Sequence, residues 1–272
     1  MNNILRKLLS TLFALAIVFV ILATIEQKAF ATNSSVATTT TTTNAIAISP
    51  LSNVSTDTSP STPPTGPRIV VDPFSDVPTT HPYFEKIWSL FARDIISGKI
   101  APSSKYEIGS DPITKGVFGI NDNVKRQQFA KMIVGVLDKK PTGKENMPFT
   151  DVDKNYKGQL YPHSYVALCT SLGITMGVTA TKFNPYGDIT RSQVATMMVR
   201  AAKKDGFTLK TPPKNYKPPF TDFGAPHYEN ARIAAYNKLF EGLLDYGSNY
   251  DFWKPATRGE VAVMLYNLMD IK

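Results

Sequence analysis

Phe183-Asn-Pro-Tyr-Gly-Asp-Ile-Thr-Arg-Ser-Gln193 ends a loop and opens a helix. Thr190 is placed to cap that helix, and Gln193 to reach back as the other half of a capping box. Val194, Met197, Met198 and Ala201 follow at three- and four-residue steps, the period of an amphipathic helix. The pattern around Arg191 occurs twice more, at Arg126, 65 residues earlier, and at Arg258, 67 residues later. Each copy starts with the same opening: Phe74-Ser-Asp76, Phe149-Thr-Asp151 and Phe220-Thr-Asp222. A repeat this regular describes one supersecondary unit used three times, each copy completing its neighbours' core.

Two helices are expected per copy. In the first, Phe84, Ile87, Trp88, Phe91 and Ile95 mark one stripe, and Phe129, Met132, Ile133, Val136 and Leu137 the next. The second copy offers Tyr165, Leu168 and Leu172 ahead of the helix after Arg191. The third offers Ile233, Tyr236 and Leu239 or Phe240, then Val261, Met264, Leu265 and Leu268. These Met and aromatic stripes read as core rather than as a cofactor box. The links Lys139 to Pro148 and Pro212 to Pro219 are rich in Pro and Lys and belong on the surface. Gly98 to Phe118 spans twenty positions where Gly177 to Phe183 spans six, which reads as a surface excursion. In the third copy Phe252 precedes Arg258 by six residues, against eight from Phe183 to Arg191, so that copy reads as short. The expected fold is mainly α: three tandem helix-loop-helix repeats at 74–140, 149–205 and 220–272.

Ahead of them, Arg6 and Lys7 precede an apolar run from Leu8 to Ile25, and Ala29-Phe30-Ala31 supplies a small-x-small site. Residues 1–31 read as an export signal cleaved after Ala31. The alternative is an uncleaved anchor, since Leu8 to Ile25 is near the lower length limit for spanning a bilayer. Residues 32–73 are rich in Thr, Ser and Pro, with Thr38 to Thr43 unbroken, and read as a disordered stalk. The net charge of +8 falls to +6 without residues 1–31 and suits an anionic partner. Nucleic acid is the weakest candidate, because no dense Lys/Arg run is present. Cys169 stands alone, so no internal disulfide forms, and it reads as a small buried hydrophobe.

The three arginines carry the functional reading. Arg191 and Arg258 each fall at the first helical position, where the helix dipole disfavours a cation. A guanidinium kept there points to another contact, such as a carboxylate. The Phe-x-Asp openings, Leu172-Gly-Ile-Thr-Met-Gly177, Phe183-x-Pro and Ile189-Thr-Arg-Ser-Gln193 together resemble the S-layer homology domain. That family usually ends in Thr-Arg-Ala-Glu. Thr190-Arg-Ser-Gln193 and Thr257-Arg-Gly-Glu260 are close, while Lys125-Arg-Gln-Gln128 lacks the capping Thr. The resemblance covers residues 74–272. It implies a pseudo-threefold module with a central helical bundle and ligand grooves between repeats. It implies non-covalent, non-catalytic binding of an anionic, often pyruvylated, secondary cell-wall glycan at the cell surface. By the same resemblance Arg191, Arg258 and Arg126 hold the sugar's carboxylate, beside the loop glycines Gly177, Gly242 and Gly98. The plainer account of those glycines is that they cap helices.

Rival readings are weaker. His81, His163 and His227 all precede a first helix, but three exposed helix starts do not bring imidazoles together for a metal. No cofactor is expected. A glycan hydrolase would need paired carboxylates at glycosidase geometry, and none can be picked out. Asp76, Asp151 and Asp222 read as turn or cap residues. An uncleaved N-terminal helix would instead make the protein a membrane-to-wall tether.

Overall fold

The computed structural model describes residues 72–103, 114–154 and 161–271. They belong to one unit, Thr65–Lys272. The expected export signal and nearly all of the expected stalk lie outside the described residues. Among the described residues six helices form: α1 (Phe84–Ala92), α2 (Arg126–Val136), α3 (His163–Ser171), α4 (Arg191–Lys204), α5 (Tyr228–Tyr236) and α6 (Arg258–Asp270). β-Pairing among the described residues is confined to isolated bridges.

The helix starts follow the capping chemistry. Thr190 Oγ1 accepts from Gln193 N while Gln193 Oε1 accepts from Thr190 N at 3.2 Å. Thr257 and Glu260 do the same at α6, with distances of 3.2 and 2.9 Å. At α2 only half survives: Gln128 Oε1 accepts from Lys125 N, while the lysine ammonium turns to Asp188. The next amides of each helix donate to loop carbonyls from another segment. Arg126 N donates to Gly187 O, Arg191 N to Lys254 O and Arg258 N to Asp122 O. Orphan donors that a helix start normally leaves to water are thereby satisfied inside the protein.

Helices α2, α4 and α6 pack against one another, and each of the others docks outside the segment that encodes it. Helix α3 packs on α2, α5 on α4 and α1 on α6. Where the chains before α2, α4 and α6 meet, their backbones close a ring. Val124 N donates to Ala256 O, Ala256 N to Ile189 O, and Ile189 N to Val124 O, at 2.8–3.0 Å. All three side chains are fully buried, so these bonds exclude water.

The stripes on α1, α2, α4 and α6 are core, apart from a half-buried Trp88. Those on α3 and α5 are displaced from the expected register. Tyr165, Leu168 and Leu172 pack only at the edge, while Ser164, Val166, Ala167 and Cys169 face inward. On α5 the inward residues are Ala231 and Ala234, with Ile233 at the edge, while Leu239 and Phe240 just beyond it are core as expected. Small side chains let these helices lie close on α2 and α4, so the larger ones cover the seam.

The first two Phe-x-Asp openings work in two parts, and the third keeps the ring contact. The ring packs on an aromatic of the loop before the second helix: Phe74 on Phe118, Phe149 on Phe183, Phe220 on Phe252, at 4.5–5.6 Å. The carboxylate clamps that loop. Asp76 accepts from the amides of Phe118, Gly119 and Ile120, and Asp151 from those of Phe183 and Asn184. Burial would raise both carboxyls, but the amides outweigh it and hold both below the ordinary value. Among the described residues Asp222 bonds only Gly224 N, within its own turn.

Candidate functional site at the segment junctions

The structure puts the three arginines at three junctions. Arg126 is buried: Nε donates to Phe183 O, Nη1 to Gln193 Oε1, and the guanidinium lies 4.7 Å from the Phe183 ring centre. Arg258 repeats this, with Nε to Phe118 O, Nη2 to Ser97 O and the Phe118 ring at 4.6 Å. Arg191 has Tyr250 as its ring, at 4.2 Å. Tyr250 stands eight residues before Arg258, as Phe118 and Phe183 stand before theirs. The third copy is therefore not short at this position: Tyr250 fills the place, and Phe252 serves the Phe220 contact instead.

Arg191 differs in its polar partners. Nη2 is paired with the Glu260 carboxylate at 2.5 Å, both side chains being about nine-tenths buried, and Nη1 donates to Asp251 O. Nε is buried without a partner among the described residues. The carboxylate expected opposite an arginine is thus found here within the chain itself.

Two grooves of about 450 Å³ each open beside Arg126 and Arg258. The first lies between the α3–α4 loop at Thr175–Val178, the α4 face carrying Gln193, Thr196 and Arg200, and His227 at the start of α5. The second lies between the α1–α2 loop at Asp94–Ser97, the α2 face with Gln128 and Lys131, and Tyr161. Burial and the charges of Arg200 and Arg126 hold the His227 imidazole below its ordinary value, and its Nδ1 lies 2.8 Å from Thr196 Oγ1.

The expected glycines lie in the matching loops but do not cap helices. The left-handed positions that end α1, α3 and α5 are Asp94, Gly173 and Lys238, each four residues earlier. The next amides, of Ile95, Ile174 and Leu239, close back onto Leu90, Cys169 and Ala234 carbonyls. Gly177 is required by its φ of +77° and because a Cβ would meet the Phe149 ring at 2.5 Å. A Cβ on Gly98 would meet the Phe74 ring equally closely. Gly242, with a φ of +84°, lies under the Lys86 ammonium.

The histidines occupy two different places: His163 and His227 follow Pro162 and Pro226, whereas His81 precedes Pro82. No group of three potential metal ligands is found among the described residues. Cys169 is buried, its thiol pushed up to about 12 by desolvation and directed to Ala130 O. Among the described residues no helix is long and apolar enough to cross a membrane.

Arg200 and Lys131 escaped the sequence reading. Arg200 stands nine residues past Arg191, where the other copies have Gly135 and Asn267. Only laying the copies over one another at the arginines exposes it.

Residues 148–195 match the S-layer homology domain, and the chain carries one such domain there. The chain is also 33% identical over 129 residues to an endoglucanase of Bacillus sp. (strain KSM-635). That match spans 47% of this chain and 12% of the endoglucanase.

Proposed function

We propose that this protein is a non-catalytic anchor that binds an anionic secondary cell-wall glycan, pyruvylated or otherwise carboxylated, and so holds itself to the cell envelope. The observation that carries this reading is the S-layer homology domain at 148–195 ending in Arg191 and Gln193. The closed backbone ring and the cyclic docking of α1, α3 and α5 support three such repeats in pseudo-threefold arrangement around α2, α4 and α6. Polar grooves edged by Arg126 and Arg258 support a sugar acid as ligand. Among the described residues Arg126 Nη2 and Arg258 Nη1 make no hydrogen bond, and guanidinium is the side chain best shaped for a carboxylate. The endoglucanase is matched over too little of its length to carry its activity across.

The test is retention on isolated cell walls, before and after acid extraction of the secondary polymer. Retention by intact walls and loss after extraction is the expected result. Equal retention by stripped walls overturns the reading. Lysis of the same walls in a zymogram favours a hydrolase instead.

A further inference from the structure

We infer that the three junctions are unequal: the α3–α4/α5 groove is the principal anion site, the α1–α2/α3 groove a weaker one, and the α1/α6 junction is sealed. This rests on the wall-glycan reading above and assigns the ligand to particular grooves.

The charge inventory separates them. The first groove has Arg126 and Arg200 on its wall and no acidic side chain among its described lining residues. Asp151 acts on Arg126, but its oxygens are already held by the Phe183 and Asn184 amides. The second groove has Arg258 and Lys131 but includes Asp94. At the α1/α6 junction the cations are Arg191, Lys86 and Lys238, the last paired with Glu241. Glu260 is paired with Arg191, Asp245 also acts on it, and Glu241 and Asp270 act on Lys86. Three cations facing four acids leave no net attraction for an anion.

Geometry agrees with charge. Tyr83 Oη accepts from Leu244 N at 2.8 Å, tying the start of α1 to the α5–α6 loop across the place where the other junctions open. The Lys86 ammonium covers Gly242 and donates to Glu241 O and Asn267 Oδ1. Both Nη atoms of Arg191 are committed within the chain. In the first groove, by contrast, Arg200 is half-buried on the wall with no ion-pair partner among the described residues, and Thr175, Gln193 and Thr196 add neutral polar groups that suit sugar hydroxyls.

Two exposed residues at the loop tips give a matched test free of folding artefacts. Met176 is 69% exposed at the lip of the first groove, and Leu244 is 63% exposed at the sealed junction. Met176→Glu places a carboxylate where the ligand's own must sit, and Leu244→Glu does the same where no ligand binds. Titrations use isolated walls that retain their secondary polymer. Met176→Glu and Arg200→Ala should each weaken binding roughly ten- to a hundredfold, the range for one charge-assisted contact. Lys131→Ala should cost less, and Leu244→Glu should bind within about twofold of the wild type, the size of surface effects. Wild-type binding with Met176→Glu and Arg200→Ala unimpaired overturns the assignment, as does a Leu244→Glu loss matching that of Met176→Glu. Failure of the wild type itself to be retained removes the wall reading and the assignment with it.

Discussion

Arg126, Arg191 and Arg258 look in the sequence like binding groups, and in the fold they also hold the segments together. Each stacks on an aromatic ring of another segment and bonds its backbone or side chains. An arginine at a helix start opposes the dipole, and the neighbouring carbonyls and rings offset that cost. Arg191→Ala strips the buried Glu260 of its partner, and leaving one charge of such a pair uncompensated costs about 3–5 kcal/mol. A thermal melt should fall by roughly ten degrees at this chain length. Wall binding by the molecules that stay folded should hardly change, because the α1/α6 junction is sealed. Unchanged melting would show that the ion pair is dispensable. Cys169, whose thiol is buried and poorly ionised, should resist alkylation at neutral pH until denaturant is added, as read by mass spectrometry of the intact chain.

At the scale of elements, the capping signals were legible because they are local: Thr190 to Gln193 and Thr257 to Glu260 sit three residues apart. The second helices were legible too, since their faces are apolar over three or four turns. Docking partners were not, because nothing in a stripe such as that of α3 says which helix it faces. The inward Ala231 and Ala234 were missed for a related reason: close approach selects small residues, which leave a weak hydrophobic signal. Of the site, the arginines showed through as a repeat, while Arg200 and Lys131 did not repeat and stayed invisible. The Phe-x-Asp clamp yields a pH prediction. The Asp76 carboxyl is held below the value near 4 expected unfolded, so the stability it contributes is complete above about pH 4. It is lost as pH falls through the lowered value, when the native carboxylate takes up its proton. Asp76→Asn should melt lower than the wild type at pH 7, and the gap should narrow towards pH 3. A constant gap would mean that the clamp acts by shape rather than charge.

At the scale of the whole molecule, α1, α3 and α5 each find their partner in another segment, so no helix-loop-helix segment is complete alone. Residues 72–272 should therefore unfold in one transition, with calorimetric and van't Hoff enthalpies in agreement. A fragment covering 74–140 should show no cooperative melt, because α1 needs α6 and α2 needs α3. A sharp transition in that fragment would contradict the docking described above.

The α1 to α6 pairing also sets a timetable. A ribosome delivers α1 some 170 residues before the last turns of α6, so the earliest helix waits longest for its cover. Throughout that interval Phe84, Ile87, Leu90 and Phe91 lack the cover that α6 gives them, and such surfaces recruit chaperones or self-associate. Completion is deferred until α6 has been made, and a stop codon ahead of Arg258 yields a chain that cannot mature, however faithful its first two segments.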